Sequence, residues 1–338
     1  EFSKVATEAH MKALPRIAFV MLKPDALVGG SGEFILDRLR SEGLSVRLAR
    51  RVKLDEERLN SLYLFVRARY RETWWLSEEF YLGREVLALL LHGSPGEFPH
   101  LPARLREEVG PTTPDAGSPG NIRYDYKGVN RLMNMIHASE DPASSLREAL
   151  VFFRMEDVLE AMTTDADVRA EPGGGENNQK LRRWVIFNKI KGECARRLDD
   201  ASSALLKDLL EREREILKFD LPIDEERRLL APIEASIARR ATESIRERAV
   251  EFRGEIDWAA LDDETLAVWL IALLSDEALL AGERGFRRLV DEALTRGIVE
   301  DDLERLVLLS TWGTMPQMIR DLERAGKTVL TYVGTAHR

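Results

Sequence analysis

The chain has 338 residues, 44% hydrophobic and 32% charged, with a formal net charge of −9 and one cysteine, Cys194. That length can bury two cores, while the acidic balance argues against a nucleic-acid-coating role and still allows a locally basic pocket. One cysteine excludes an intramolecular disulfide and a cysteine-rich zinc site, no apolar run reaches the ~18 residues of a membrane helix, and no secretory pattern is read at the start, so a cytoplasmic protein is expected.

Ile17 to Leu22 is an apolar run of strand length that stops at Lys23-Pro24-Asp25, where proline ends pairing and leaves a lysine at the strand mouth. Gly29-Gly30-Ser31-Gly32 fits neither a P-loop nor a dinucleotide fingerprint and reads as a flexible turn before a helix carrying Phe34, Ile35 and Leu39. Leu44 to Val52 alternates as a second strand. Asp55 to Tyr63 follows as a helix with Leu59, Leu62 and Tyr63 on one face, and Arg67 to Tyr81 is polar and aromatic. Val86 to Leu91 is a buried strand. A long Gly/Pro-rich stretch from Gly93 to Gly120, broken by Arg104 to Glu108, has the length of a functional loop.

A last strand delivers His137 within Asn134-Met135-Ile136-His137-Ala138-Ser139. A helix then opens with Asp141 as N-cap and Pro142 at its first position, and runs to Phe153. Glu148 lies about two turns into that helix, within reach of the imidazole. A carboxylate behind a histidine fixes which ring nitrogen stays free to react. This order of elements predicts an α+β domain over residues 14–155: a ferredoxin-like, four-stranded antiparallel sheet with helices on one face.

From about Met155 the pattern changes. Residues 156–180, acidic and then glycine-rich at Pro172-Gly173-Gly174-Gly175, read as a linker, and 181–338 as a mostly α-helical domain. Helices are expected over Arg182–Leu198, Ser202–Phe219, Asp224–Phe252 with a break at Pro232, Asp262–Leu274, Glu277–Thr295 and Glu300–Leu309. Lys327 to Val333 has strand-like content. Arginine pairs such as Arg182/Arg183 and Arg239/Arg240 read as solvated helix faces, and the tryptophans of this half as core.

The first domain resembles the nucleoside diphosphate kinase family. The resemblance rests on Lys23-Pro24-Asp25 and on Asn134-x-x-His137-Ala138-Ser139, with Glu140 where an aspartate is usual. Between them stand Arg106, Gly110, Thr112 and Pro119-Gly120-Asn121-Ile122-Arg123-Tyr124-Asp125, and Glu148 follows. It implies a γ-phosphate transfer from a nucleoside triphosphate such as ATP to a nucleoside diphosphate through a phosphohistidine on His137, with Glu148 orienting the ring. Lys23, Arg106 (or Arg104 in its place) and Arg123 would cancel phosphate charge, which suits arginine's planar fork. Thr112 or Thr113 and Asn134 would hydrogen-bond phosphate and ribose. Tyr63 would touch the phosphoryl group or the histidine, and Ser139 would bond Glu148 or the turn backbone. Trp74 is the aromatic that could serve as base platform or simply pack in the core. Mg²⁺ would be held mostly by the nucleotide, with one carboxylate such as Asp141 and no dedicated protein metal site.

Nucleoside tri- and diphosphates are thus the expected partners, with a homo-oligomer as the expected assembly and neither nucleic acid nor membrane among the partners. Two other readings stand beside this one: nucleotide-dependent phosphotransfer to a second small molecule presented by the helical domain, and a nucleotide-binding regulatory module.

Overall fold

The computed structural model of the protein describes residues 2–173, 181–198, 200–248, 256–282 and 285–330. The chain forms two compact units. One holds the residues up to Gly128 and those from Met133 through Gly173; the other holds Val129–Leu132 and the described chain from Leu181 onward.

The first unit is built on four antiparallel strands, β1 (Ile17–Leu22), β2 (Ser45–Lys53), β3 (Glu85–His92) and β4 (Ile136–Ala138), in the order β2-β3-β1-β4. Every residue of β1 is buried. Because side chains alternate across a strand, Ala18, Val20 and Leu22 share one face with Leu87, Leu89 and Leu91 of β3. Ile35, Leu36 and Leu39 of helix Gly32–Ser41 and Leu101, Leu105 and Val109 of helix Leu101–Val109 complete that core. Each leucine so enclosed contributes about 1.5–3 kcal/mol.

Phe19 belongs to the opposite face, where it stacks on Phe152 of helix Pro142–Phe152 with ring centroids 5.4 Å apart. Helices therefore cover both faces of the sheet, not one as the element order suggested. The unbroken apolar run of β1 is the sign of a strand buried on both sides.

Two further differences bear on the site. The Gly/Pro-rich stretch contains a nine-residue helix, Leu101–Val109, whose start is capped by His100: its Nδ1 accepts the Ala103 N–H at 3.1 Å. The stretch expected as a linker carries helix Met155–Thr163 and clusters with the first unit as far as it is described. Val168 N–H bonds the Val46 carbonyl at 2.7 Å on the free side of β2, and Ala170 is buried in the sheet core. Gly174 and Gly175 of that expected linker lie outside the described residues.

The second unit is helical where described. Helix Ile223–Arg248 runs through Pro232 without the expected break, since Leu230, Ile233, Ile237 and Ala238 bury one continuous face that outweighs the lost backbone bond. The expected Glu277–Thr295 helix divides into Glu277–Gly282 and Phe286–Thr295, with Gly285 at φ +91° before the latter, and the last helix extends over Asp302–Arg324. Lys327–Leu330 is not a strand, and residues 331–333 of that reading lie outside the described residues. Among the described residues no helix is long and apolar enough to cross a membrane.

Candidate active site

The pairing of β4 with β1 places His137 opposite Met21, on the Phe19 side of the sheet, where helix Pro142–Phe152 packs. That helix is set by Asp141, whose Oδ1 accepts the N–H groups of Ala143 and Ser144 at 2.8 and 2.9 Å, and by Pro142 in its first turn, where no N–H is needed. Glu148 then meets the histidine: Nε2 lies 2.7 Å from Glu148 Oε2. Ser139 Oγ donates to the same oxygen at 2.6 Å, and Arg147 Nη2 donates to Oε1 at 2.7 Å. Burial by itself would raise the Glu148 carboxyl. The His137 hydrogen bond and charge, with Ser139 and Arg147 behind them, outweigh burial and hold it below the usual carboxylate range.

An ionised carboxylate only accepts, so the proton between the two groups sits on Nε2. In the neutral ring, Nδ1 then carries the lone pair. The His137 side chain is 19% exposed, enough for one edge to be reached. Tyr63 stands edge-on to the ring, centroids 5.5 Å apart, and its hydroxyl bonds that of Tyr81 at 2.7 Å. Burial keeps both phenols well above their ordinary range, and hence protonated.

The backbone that carries His137 is strained. Met135 has φ +70°, and Ile136 N–H bonds the Asn134 carbonyl at 2.8 Å, the two-residue closure of a γ-turn that costs a non-glycine residue about 1–3 kcal/mol. It is held from both sides: Met135 N–H donates to Asp25 Oδ2 and the Lys23 N–H donates to the Met135 carbonyl, each at 2.8 Å. The expected strand through Asn134 thus shortens to Ile136–Ala138.

The cations gather at this turn. Lys23 Nζ donates to Asn134 Oδ1 at 2.5 Å, and Asn134 Nδ2 donates to the Thr112 carbonyl at 2.8 Å. Arg123 reaches the Ile136 carbonyl at 2.7 Å and the Gly110 carbonyl at 3.0 Å. Gly110 ends its helix at φ +81°, ψ −179°, a conformation open to glycine, and a Cβ there would stand 2.5 Å from the Asn121 Cβ. Burial pushes the Lys23 ammonium down to about 7, with Asp25 opposing the shift and Arg123 adding to it. Burial likewise raises Asp25 to about 6, against the charge of Lys23 and the backbone N–H groups around it.

The remaining sequence-predicted residues divide. Ser139 bonds Glu148 through its side chain. Arg104 turns to Glu108 and to the carbonyls of Ser94 and Glu42, which leaves Arg106 as the exposed arginine, 3.1 Å from Glu140. Thr112 is exposed and meets Asn134 through its backbone, whereas Thr113 is buried. Trp74 is 6% exposed, edge-on to Tyr63 and with Arg67 6.0 Å from its ring. It is packed in the layer behind Tyr63, a poor base platform. Phe65 is exposed, with the Arg147 guanidinium 5.3 Å from its ring. Sequence reasoning gave no role to Asp25, Tyr81 or Arg147. Asp25 stood in the quoted triplet, but its partner Met135 is distant in sequence, and nothing in the pattern marks the other two.

A ferredoxin-like sheet that presents an oriented imidazole, with buried Lys23 and half-buried Arg123 bonded to the turn before it, suits a phosphotransferase domain. The family model described as nucleoside diphosphate kinase matches residues 16–158. The nucleoside diphosphate kinase of Methanoregula boonei is 32% identical over 155 residues, 44% of this chain and 95% of that protein. That of Staphylothermus marinus is 28% identical over 142 residues, 42% of this chain and 94% of that protein. A solved structure of the Aquifex aeolicus nucleoside diphosphate kinase covers 42% of this chain and 97% of its own, at 28% identity and a TM-score of 0.37. Through this segment the chain belongs to the nucleoside diphosphate kinase family.

Proposed function

We propose that the first unit moves the γ-phosphoryl group of a nucleoside triphosphate such as ATP to a nucleoside diphosphate through a phosphohistidine on His137. The observation that carries this reading is the 2.7 Å contact of Nε2 with Glu148, which leaves the lone pair on Nδ1. Nδ1 attacks the γ-phosphorus; the N–P bond forms as the bond to the β–γ bridging oxygen breaks, and the electron pair leaves with the diphosphate. An acceptor diphosphate then takes the phosphoryl group by the reverse step, and the lone pair returns to Nδ1.

Phosphoryl transfer asks mainly for positioning and for cancellation of charge on the non-bridging oxygens. Lys23, Arg123 and Arg106 supply the positive charge, Arg106 by exchanging Glu140 for phosphate. Asn134 offers a neutral hydrogen bond, and Tyr63 walls the histidine. The residues here fit a Mg²⁺ ion that the nucleotide would hold: Asp141 spends its oxygens on the helix cap and Ser144 Oγ, and Glu140 faces Arg106. The ion would supply charge neutralisation on the phosphates. A reducing, ATP-containing compartment such as the cytoplasm suits this reading and the single cysteine.

Incubation with ATP labelled in the γ position should give a protein label that is acid-labile and base-stable, and that a mixture of nucleoside diphosphates removes as labelled triphosphates. His137→Ala should fold normally and take no label. Persistent labelling of that variant would refute the assignment of the nucleophile.

A further inference from the structure

The four residues Val129–Leu132 interrupt the first unit in sequence but belong to the helical unit in space. Their grip is specific. Asn130 is fully buried, and its Nδ2 donates to Ser310 Oγ at 2.8 Å and Thr311 Oγ1 at 3.1 Å on helix Asp302–Arg324, while its Oδ1 accepts the Leu132 N–H at 2.9 Å. Arg131 pairs with Asp321 on the same helix. The Val129 carbonyl accepts from Arg183 Nη1 of helix Arg183–Ala195 at 3.0 Å.

Both ends of this segment run directly into the site. On one side Gly128 N–H bonds the Arg123 carbonyl at 2.9 Å. On the other, buried Met133 leads into Asn134, which holds Lys23, and then into the strained Met135 turn that carries His137. A turn at φ +70° persists only while its surroundings over-determine it. The segment that fixes one side of it is fastened by residues far away in sequence.

We propose that Asn130 and Arg131 are positioning residues for phosphoryl transfer: by fastening Val129–Leu132, the helical unit sets the geometry of Arg123 and of the Asn134–His137 turn. This rests on the phosphotransfer reading above. It gives the helical half a role in the reaction that requires no ligand of its own. A buried asparagine with its donors and its acceptor engaged is a costly way to hold a loop unless the loop's exact placement matters.

The test uses the full chain. Asn130→Ala, Arg131→Ala, Arg131→Lys, Asp321→Asn and the double variant Ser310→Ala/Thr311→Val are compared with wild type. Single-turnover labelling from γ-labelled ATP, kcat and KM for both nucleotides, circular dichroism and melting temperature are measured for each. Asn130→Ala, Arg131→Ala and the two helix-side variants should lower kcat about 2- to 30-fold, with KM moving less than about twofold, and Arg131→Lys should recover much of the loss. A merely structural role would lower the melting temperature while the folded fraction keeps its kcat, and that outcome overturns the proposal. Should Asn130→Ala fail to fold, the milder Asp321→Asn and Arg131→Lys decide by the same split of kcat from KM. Wild type that takes no label would sink the phosphotransfer reading and this proposal with it; wild type and variants that label and turn over alike would sink the proposal alone.

Discussion

Glu148 receives three donors at once, from His137, Ser139 and Arg147, and its lowered carboxyl keeps it an acceptor throughout the neutral range. Glu148→Gln keeps the shape but lets the amide donate to Nε2, which drives the ring proton onto Nδ1. Labelling from ATP should slow by about 10²-fold or more, read in a rapid-quench experiment. Lys23 makes the second case. Its pKa of about 7 leaves it mostly neutral in the free protein near pH 8, and a triphosphate alongside would restore its charge. Nucleotide binding should therefore take up a fraction of a proton around pH 8 and little at about pH 6, where the ammonium is already charged. Calorimetry in buffers of different ionisation enthalpy reads that uptake directly. Lys23→Arg, always charged, should abolish it.

The helix Pro142–Phe152 does two jobs that its sequence already signals: it caps on Asp141 and it carries Glu148 over His137. Asp141 lies below the ordinary aspartate range because the N–H and hydroxyl of Ser144 bond its ionised form. A lowered native pKa means that this stability is present above the unfolded value and is lost as pH falls through the folded one. Asp141→Ala should cost about 1 kcal/mol in urea unfolding near neutral pH, and the difference from wild type should shrink on acidification. The Met135 turn is the opposite kind of element. No local propensity favours a methionine at φ +70°; Asp25 and the Lys23 backbone hold it there from a distant stretch of chain.

Over the whole molecule, charge is buried in both units, with different partners. In the helical unit Lys191 is fully buried, with Nζ 2.9 Å from both oxygens of Glu213 and 2.7 Å from Glu234 Oε1. Burial, with the charge of Glu213, raises the Glu234 carboxyl well above its usual range, and the Lys191 ammonium is the group that opposes that rise. Lys191→Met would strand two acids in hydrocarbon and should cost about 3–5 kcal/mol. Replacing all three by methionine and leucine should recover most of that loss, as measured by denaturant unfolding of the full chain. The same comparison in the first unit, at Lys23 and Asp25, should change activity as well as stability, because those two residues hold the Asn134–Met135 turn that leads into His137.

Strand-length apolar runs, the capping pattern at Asp141-Pro142 and the polar signature from Lys23 to Glu148 are local facts, and the sequence alone determined the α+β sheet, the helical second half and the pairing of His137 with Glu148. Side-chain periodicity encodes which face is apolar, and motif spacing encodes which residues converge. Distances between segments are encoded in neither. Tertiary packing alone decided that helices cover both sheet faces, that Trp74 is packed and Arg104 is turned away, and that Pro232 sits inside a continuous helix. It also decided that the chain leaves its own domain at Val129 and returns at Met133. Those outcomes depend on which buried surfaces meet, a property of the assembled core that no window along the chain contains.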